Sequence, residues 1–91
     1  MPDVKRVRVV VTGRVQGVFF RDSCRSAARA ERVAGSVRNR ADGAVEVVFE
    51  GPAAAVDRMV EWCATGPPRA HVESVQVTAE EPAGEAGFRV F

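Results

Sequence analysis

The chain lacks leucine, isoleucine and tyrosine altogether, and its 91 residues include one histidine, one lysine, one tryptophan and two cysteines. Each shortage excludes something. One histidine and two cysteines without ligand spacing make a zinc site implausible. Cys24 and Cys63 are too few for a disulfide scaffold and read as small buried hydrophobes. No apolar run approaches the ~18 residues that a membrane-spanning helix needs. The N-terminal stretch MPDVKRVRVVV sets charge beside a short apolar run, but Arg14, Gln16 and Arg21 follow too soon for a signal-peptide core, and no small-residue cleavage site closes it. A cytoplasmic location is therefore expected. Excess charge is missing too: thirteen Lys and Arg against twelve Asp and Glu give a net +1, which excludes a polybasic tail and a charge-expanded disordered chain. The core has to come from eighteen Val, fourteen Ala and five Phe. Valine favours strands, so the Val-rich segments are the first candidates for a sheet. At this length residues 1–91 read as a single domain, burying only roughly 60–65% of the unfolded surface.

Charge is uneven along the chain. Residues 1–40 carry a net +7 and residues 41–91 a net −6. Either the halves pair in space, or the first half builds a site for an anion; composition leaves both open.

The hydrophobic pattern orders the elements. Lys5 to Thr12 alternates as a strand with Val7, Val9 and Val11 on one face, ended by Gly13. Asp22 to Val33 has helical spacing, with Cys24, Ala27, Ala28 and Ala30 on one side, Arg25, Arg29 and Arg32 on another, and Gly35 as the breaker. Ser36 to Arg40 is short and extended. Asp42-Gly43 is a hairpin signal, and Ala44 to Glu50 follows as a strand. Gly51-Pro52 opens a second helix, where Val56, Met59, Val60 and Cys63 form the apolar stripe and Gly66-Pro67-Pro68 the stop. His71 to Thr78 is another strand, Glu80 to Gly87 a polar loop, and Phe88 to Phe91 a short terminal strand. The order βαββαβ implies an α+β, ferredoxin-like split βαβ fold: an antiparallel sheet with two helices on one face.

The chemistry gathers between the first strand and the first helix, in Gly13-Arg14-Val15-Gln16-Gly17-Val18-Phe19-Phe20-Arg21. Gly17 can take positive φ, so successive N–H groups can form an anion-binding concavity. The helix start adds free N–H groups and partial positive charge. Arg21 stands there with a planar fork suited to two oxygens of a phosphate or carboxylate. A tight strand-to-helix turn whose Arg points to water is the plainer alternative.

This stretch resembles the first signature of the acylphosphatase family, G-x-V-Q-G-V-x-F-R. A second signature of that family is similar to Gly35, Val37-Arg38-Asn39, Asp42-Gly43, Val45-Glu46 and Gly51, and Trp62, Gly66-Pro67-Pro68, Ala70 and Val72 extend the likeness over nearly the whole chain. Ser36 stands where the family usually has an aromatic residue, and Glu31-Arg32 where an apolar residue and glycine are common. The resemblance implies the same fold and hydrolysis of acyl phosphates to a carboxylate and inorganic phosphate. It implies that Arg14, Val15, Gln16, Gly17, Val18, Phe19 and Phe20 cradle the phosphate, that Arg21 clamps it and that Asn39 positions the attacking water. No metal or cofactor is expected, nor a nucleic acid, membrane or second copy of the chain as partner. The rival expectations are a non-catalytic module holding a phosphorylated metabolite on the same fold, and an RNA-binding domain of the same element order, which would need stacking aromatics on its central strands. His71 reads as a surface residue, and Trp62 as packing.

Overall fold

The computed structural model describes residues 3–91. Its elements run β1 (Val4–Arg14), α1 (Phe20–Ala30), β2 (Ala34–Asn39), β3 (Val45–Pro52), α2 (Ala53–Thr65), β4 (His71–Glu80) and β5 (Phe88–Val90). The sheet order is β4-β1-β3-β2-β5. All neighbouring pairs are antiparallel except β2 with β5, which is parallel. The expected antiparallel sheet is thus a mixed one, because the chain crosses from one edge to the other before its last strand.

Alternation in β1 decides which face is apolar. Val7, Val9 and Val11 pair with Phe49, Val47 and Val45, and all six are buried beneath Phe20, Cys24, Val56, Met59 and Cys63 of the helices. The two thiols are unoxidised and buried. A hydrogen bond with Cys63, then burial, pushes the Cys24 thiol well above its ordinary value, so it serves as packing.

The open face of the sheet holds the intervening residues. Arg6 pairs with Glu50 at 3.0 Å, Glu80 at 3.0 Å and Glu85 at 3.1 Å. Arg8 pairs with Glu46 at 2.6 Å and Glu80 at 2.7 Å. Much of the sequence's charge asymmetry is cancelled here, cation from the first half against carboxylate from the second. Glu50 is the one buried charged residue among those described. Its carboxylate accepts N–H groups from Ala83 at 2.9 Å, Gly84 at 2.8 Å and Glu85 at 3.1 Å. Residues 81–87 are thereby strapped over β3 on their way from β4 to β5. The Ala83 N–H first, with Arg6 and the other two amides, outweighs burial and holds the Glu50 carboxyl down to about 2.

Several expected boundaries move. Gly13 does not end β1; the strand continues to Arg14 across a bulge between Thr12 and Gly13 opposite β4. A Cβ on Gly13 would lie 2.3 Å from the His71 carbonyl oxygen, so the missing side chain admits the close approach of β4. The bulge also brings Val72 onto the same apolar face as Val75, three residues away. Helix α1 begins at Phe20 rather than Asp22 and ends at Ala30 rather than Val33. Gly35 is not its breaker but lies inside β2. The helix closes on Arg32 at φ 58: Arg32 N–H donates to Arg29 O and Val33 N–H to Ala28 O. This Schellman cap is built without its usual glycine. Pro52 precedes α2 as its cap residue instead of sitting in its first turn.

Candidate functional site

Residues 15–19 join β1 to α1. Val15, Val18 and Phe20 point into the core, which leaves the backbone of Gln16, Gly17 and Phe19 at the surface. Phe20 is further fixed edge-on against Trp62, ring centroids 5.2 Å apart, so Trp62 does act as packing. Gly17 has φ 73 and Phe19 φ 64, while Val18 between them is not left-handed. Alternating handedness turns successive N–H groups to one side, the geometry of an anion-binding nest. The first helical N–H with an intrahelical acceptor is that of Ser23, donating to Phe19 O at 3.1 Å. The N–H groups of residues 16–22 ahead of it find no acceptor among the described residues.

Two long-range bonds hold this loop and its arginine. Gln16 Nε2 donates to the carbonyls of Arg40 at 2.8 Å and Ala44 at 2.9 Å, tying the loop to the β2–β3 hairpin that carries Asn39. That hairpin forms at Asp42-Gly43 as expected, with Arg40 N–H on Ala44 O and Ala44 N–H on the Asp42 side chain. Arg21 Nη1 donates to the backbone oxygen of Phe91 at 2.7 Å.

Val15, Gly17, Phe19, Phe20, Arg21, Asp22 and Asn39 line one cavity of about 310 Å³. Five of the expected phosphate-binding positions therefore divide as backbone wall (Val15, Gly17, Phe19, Phe20) and brace (Gln16), while Val18 is turned into the core. Arg14 departs from expectation: it belongs to β1, opposite His71 of β4, and the loop starts only at Val15. Both expected catalytic positions, Arg21 and Asn39, are brought together at the cavity. Sequence reasoning missed Asp22, whose charge is shared with Arg25 at 3.2 Å. It also missed the Gln16 side chain and Phe91, which have no local signal. A second, polar recess of about 440 Å³ shares Asn39 and is lined by Arg38, Arg40, Ala41, Asp42 and Glu46. Its charges are internally paired: Arg38 with Glu46 at 3.4 Å, and Arg40 with Asp42 at 3.0 Å and Glu46 at 3.6 Å.

Fold and loop together define a ferredoxin-like α+β protein with an open helix N-terminus beside one arginine and one strand-end asparagine. The acylphosphatase family profile matches residues 7–90, and the chain belongs to that family. It is 62% identical over 88 residues to a Rubrobacter xylanophilus protein named acylphosphatase, covering 94% of this chain and 79% of the other. A Haloquadratum walsbyi acylphosphatase is 55% identical, covering 93% and 91% of the two chains. Among solved structures, an acylphosphatase from Coxiella burnetii superposes with a TM-score of 0.94 at 36% identity, covering 98% of this chain and 94% of that one. Hydrolysis of acyl phosphates is the activity of this enzyme.

Proposed function

We propose that residues 16–22 hold the phosphoryl group of an acyl phosphate on their backbone N–H groups, that Arg21 clamps it and that Asn39 orients the water that attacks phosphorus. The observation that carries this reading is the meeting of those unaccepted N–H groups with Arg21 and Asn39 at one cavity.

The chemistry asks little more. An acyl phosphate is a mixed anhydride, and its leaving carboxylate has a conjugate acid with a pKa of about 4, so no general acid is required. Water oxygen bonds to phosphorus as the bond to the acyl oxygen breaks. The amide of Asn39 can both accept from and donate to that water, but it cannot act as a base. The water proton passes to a phosphoryl oxygen of the substrate. Phosphoryl transfer then depends on positioning and on positive field at the equatorial oxygens, which the backbone and Arg21 supply. Loop, arginine and asparagine all come from one chain, which supports a monomer acting as a single domain. The open face of β1 and β3 offers Arg6, Arg8, Glu46 and Glu50 instead of stacking rings, which supports this reading over an RNA-binding one.

The test is hydrolysis of acetyl phosphate by the purified chain, with and without chelator, and its inhibition by inorganic phosphate. Among the described residues no three His, Cys, Asp or Glu side chains gather as a metal site. Turnover should survive chelation, with phosphate competing for the substrate site. Loss of turnover restored by a divalent ion, or purely noncompetitive inhibition, would refute the site.

A further inference from the structure

Phe19 is the residue at the site that its local structure explains least. It is 67% exposed, whereas Phe20, Phe49 and Phe88 are buried. Its backbone sits at φ 64, a region disfavoured for any residue with a Cβ. The other exposed phenylalanine, Phe91, has the Arg89 guanidinium 5.5 Å above its ring; among the described residues no ring or guanidinium covers Phe19. Nothing in the core requires this side chain, and yet it lines the cavity with Gly17, Arg21 and Asn39.

We propose that the ring of Phe19 is the platform for the acyl group, and that the preferred substrates of this enzyme are acyl phosphates with an aromatic or bulky apolar acyl group. The inference deepens the phosphate-site reading and rests on it. With the phosphoryl group on the backbone and Arg21, the acyl end has to leave the cavity past its rim. On the apolar side of that rim stands Phe19. The other recess at Asn39 presents Arg38 and Arg40, but each is already paired with Glu46 or Asp42. It therefore offers an anionic acyl chain no spare charge. An exposed ring gains by covering an apolar partner, and an aromatic partner adds offset or edge-on stacking.

The experiment compares kcat/KM for benzoyl, acetyl and succinyl phosphate in the unaltered protein and in Phe19→Asn, a small polar residue that tolerates the left-handed backbone. Because each substrate carries its own intrinsic reactivity, the readout is how the ratio between substrates changes on substitution. The benzoyl-to-acetyl ratio should fall about fivefold to tenfold in the variant, mostly through KM, whatever happens to either rate alone. In the unaltered protein succinyl phosphate should be the poorest of the three. A ratio unchanged by the substitution, or a preference for succinyl phosphate, would overturn the acyl platform while phosphate still competed. Failure of phosphate to compete in the unaltered protein would overturn the phosphate site, and the platform with it.

Discussion

Two loops of this chain each present a run of backbone N–H groups, and they differ in whether the chain supplies the acceptor. In residues 83–85 it does: Glu50 takes all three N–H groups on one buried carboxylate. In residues 16–22 it does not. The arginines beside the two loops differ in the same sense. Arg6 spends its fork on Glu50, Glu80 and Glu85, whereas Arg21 donates to the backbone oxygen of Phe91 and pairs with no Asp or Glu side chain among the described residues. An internally satisfied anion site is a clasp, and an unsatisfied one is available to an anion from solution. Backbone strain follows the same division, since one of the two left-handed non-glycine residues among those described is Phe19 of the open loop.

The comparison breaks most sharply at Arg21 and Asn39, which the clasp has no need of. Asn39→Ala should lower turnover about a hundredfold or more, because the proposed orientation of the water would be lost, while phosphate affinity stays within a few-fold. Arg21→Lys should raise KM and lower kcat together, since a point charge cannot make two parallel N–H bonds. Calorimetric phosphate titration beside steady-state kinetics separates the two roles. Asn39→Ala that lost phosphate binding but kept its turnover would reverse them.

Next in size is Gly17→Val. A Cβ at Gly17 meets nothing within 4 Å, so no clash intervenes and the cost is conformational. A β-branched residue at φ 73 costs roughly 1–2 kcal/mol unless the loop turns away. Turning away would disperse the N–H groups. Phosphate affinity should therefore drop about tenfold, with a smaller fall in thermal midpoint. Normal phosphate binding by this variant would show that the left-handed turn is not part of the site.

Most of the open loop was legible in the sequence, because its signals are local: glycines that permit a turn, a helix start, and an arginine one residue beyond it. The paired elements were legible from alternation and helical spacing for the same reason. Whatever depends on distant partners was not. Arg21 meets Phe91 seventy positions away, and nothing near either residue announces it. The bulge at Gly13 is a relation between two strands, invisible in either one, and it made a glycine still paired within the strand look like a terminator. The parallel placement of β5 depends on the path of residues 81–87, whose polar composition indicates a loop but not its route. Arg32 shows the opposite error: backbone hydrogen bonds at the end of α1 hold a left-handed cap that the missing glycine argued against.

The smallest expected effect on the open site comes from weakening the clasp, and the sign of its effect on stability can be fixed in advance. Glu50→Gln keeps the shape and one acceptor oxygen but removes the charge. Three N–H groups and Arg6 then face a neutral amide whose NH2 end cannot accept, and the loss should be about 1–3 kcal/mol, the penalty for leaving buried donors without an acceptor. At pH 7 this reads as a lower urea midpoint at unchanged slope. Arg6 retains Glu80 and Glu85, which confines the loss to the backbone N–H groups. The acid dependence is the sharper readout. The Glu50 carboxyl titrates near 2 when folded against an ordinary 4.5, so the unfolded chain binds the proton more tightly. Its stabilising contribution is complete above about pH 4.5 and is lost as pH falls toward 2. The unaltered protein should therefore weaken over that interval, and Glu50→Gln should weaken less steeply, so that the two urea midpoints converge in acid. Phosphate affinity at pH 7 should shift less than threefold, because the clasp shares no side chain with the cavity. If Glu50→Gln instead abolished phosphate binding while leaving the urea midpoint untouched, the division between a self-satisfied loop and an open one would be wrong.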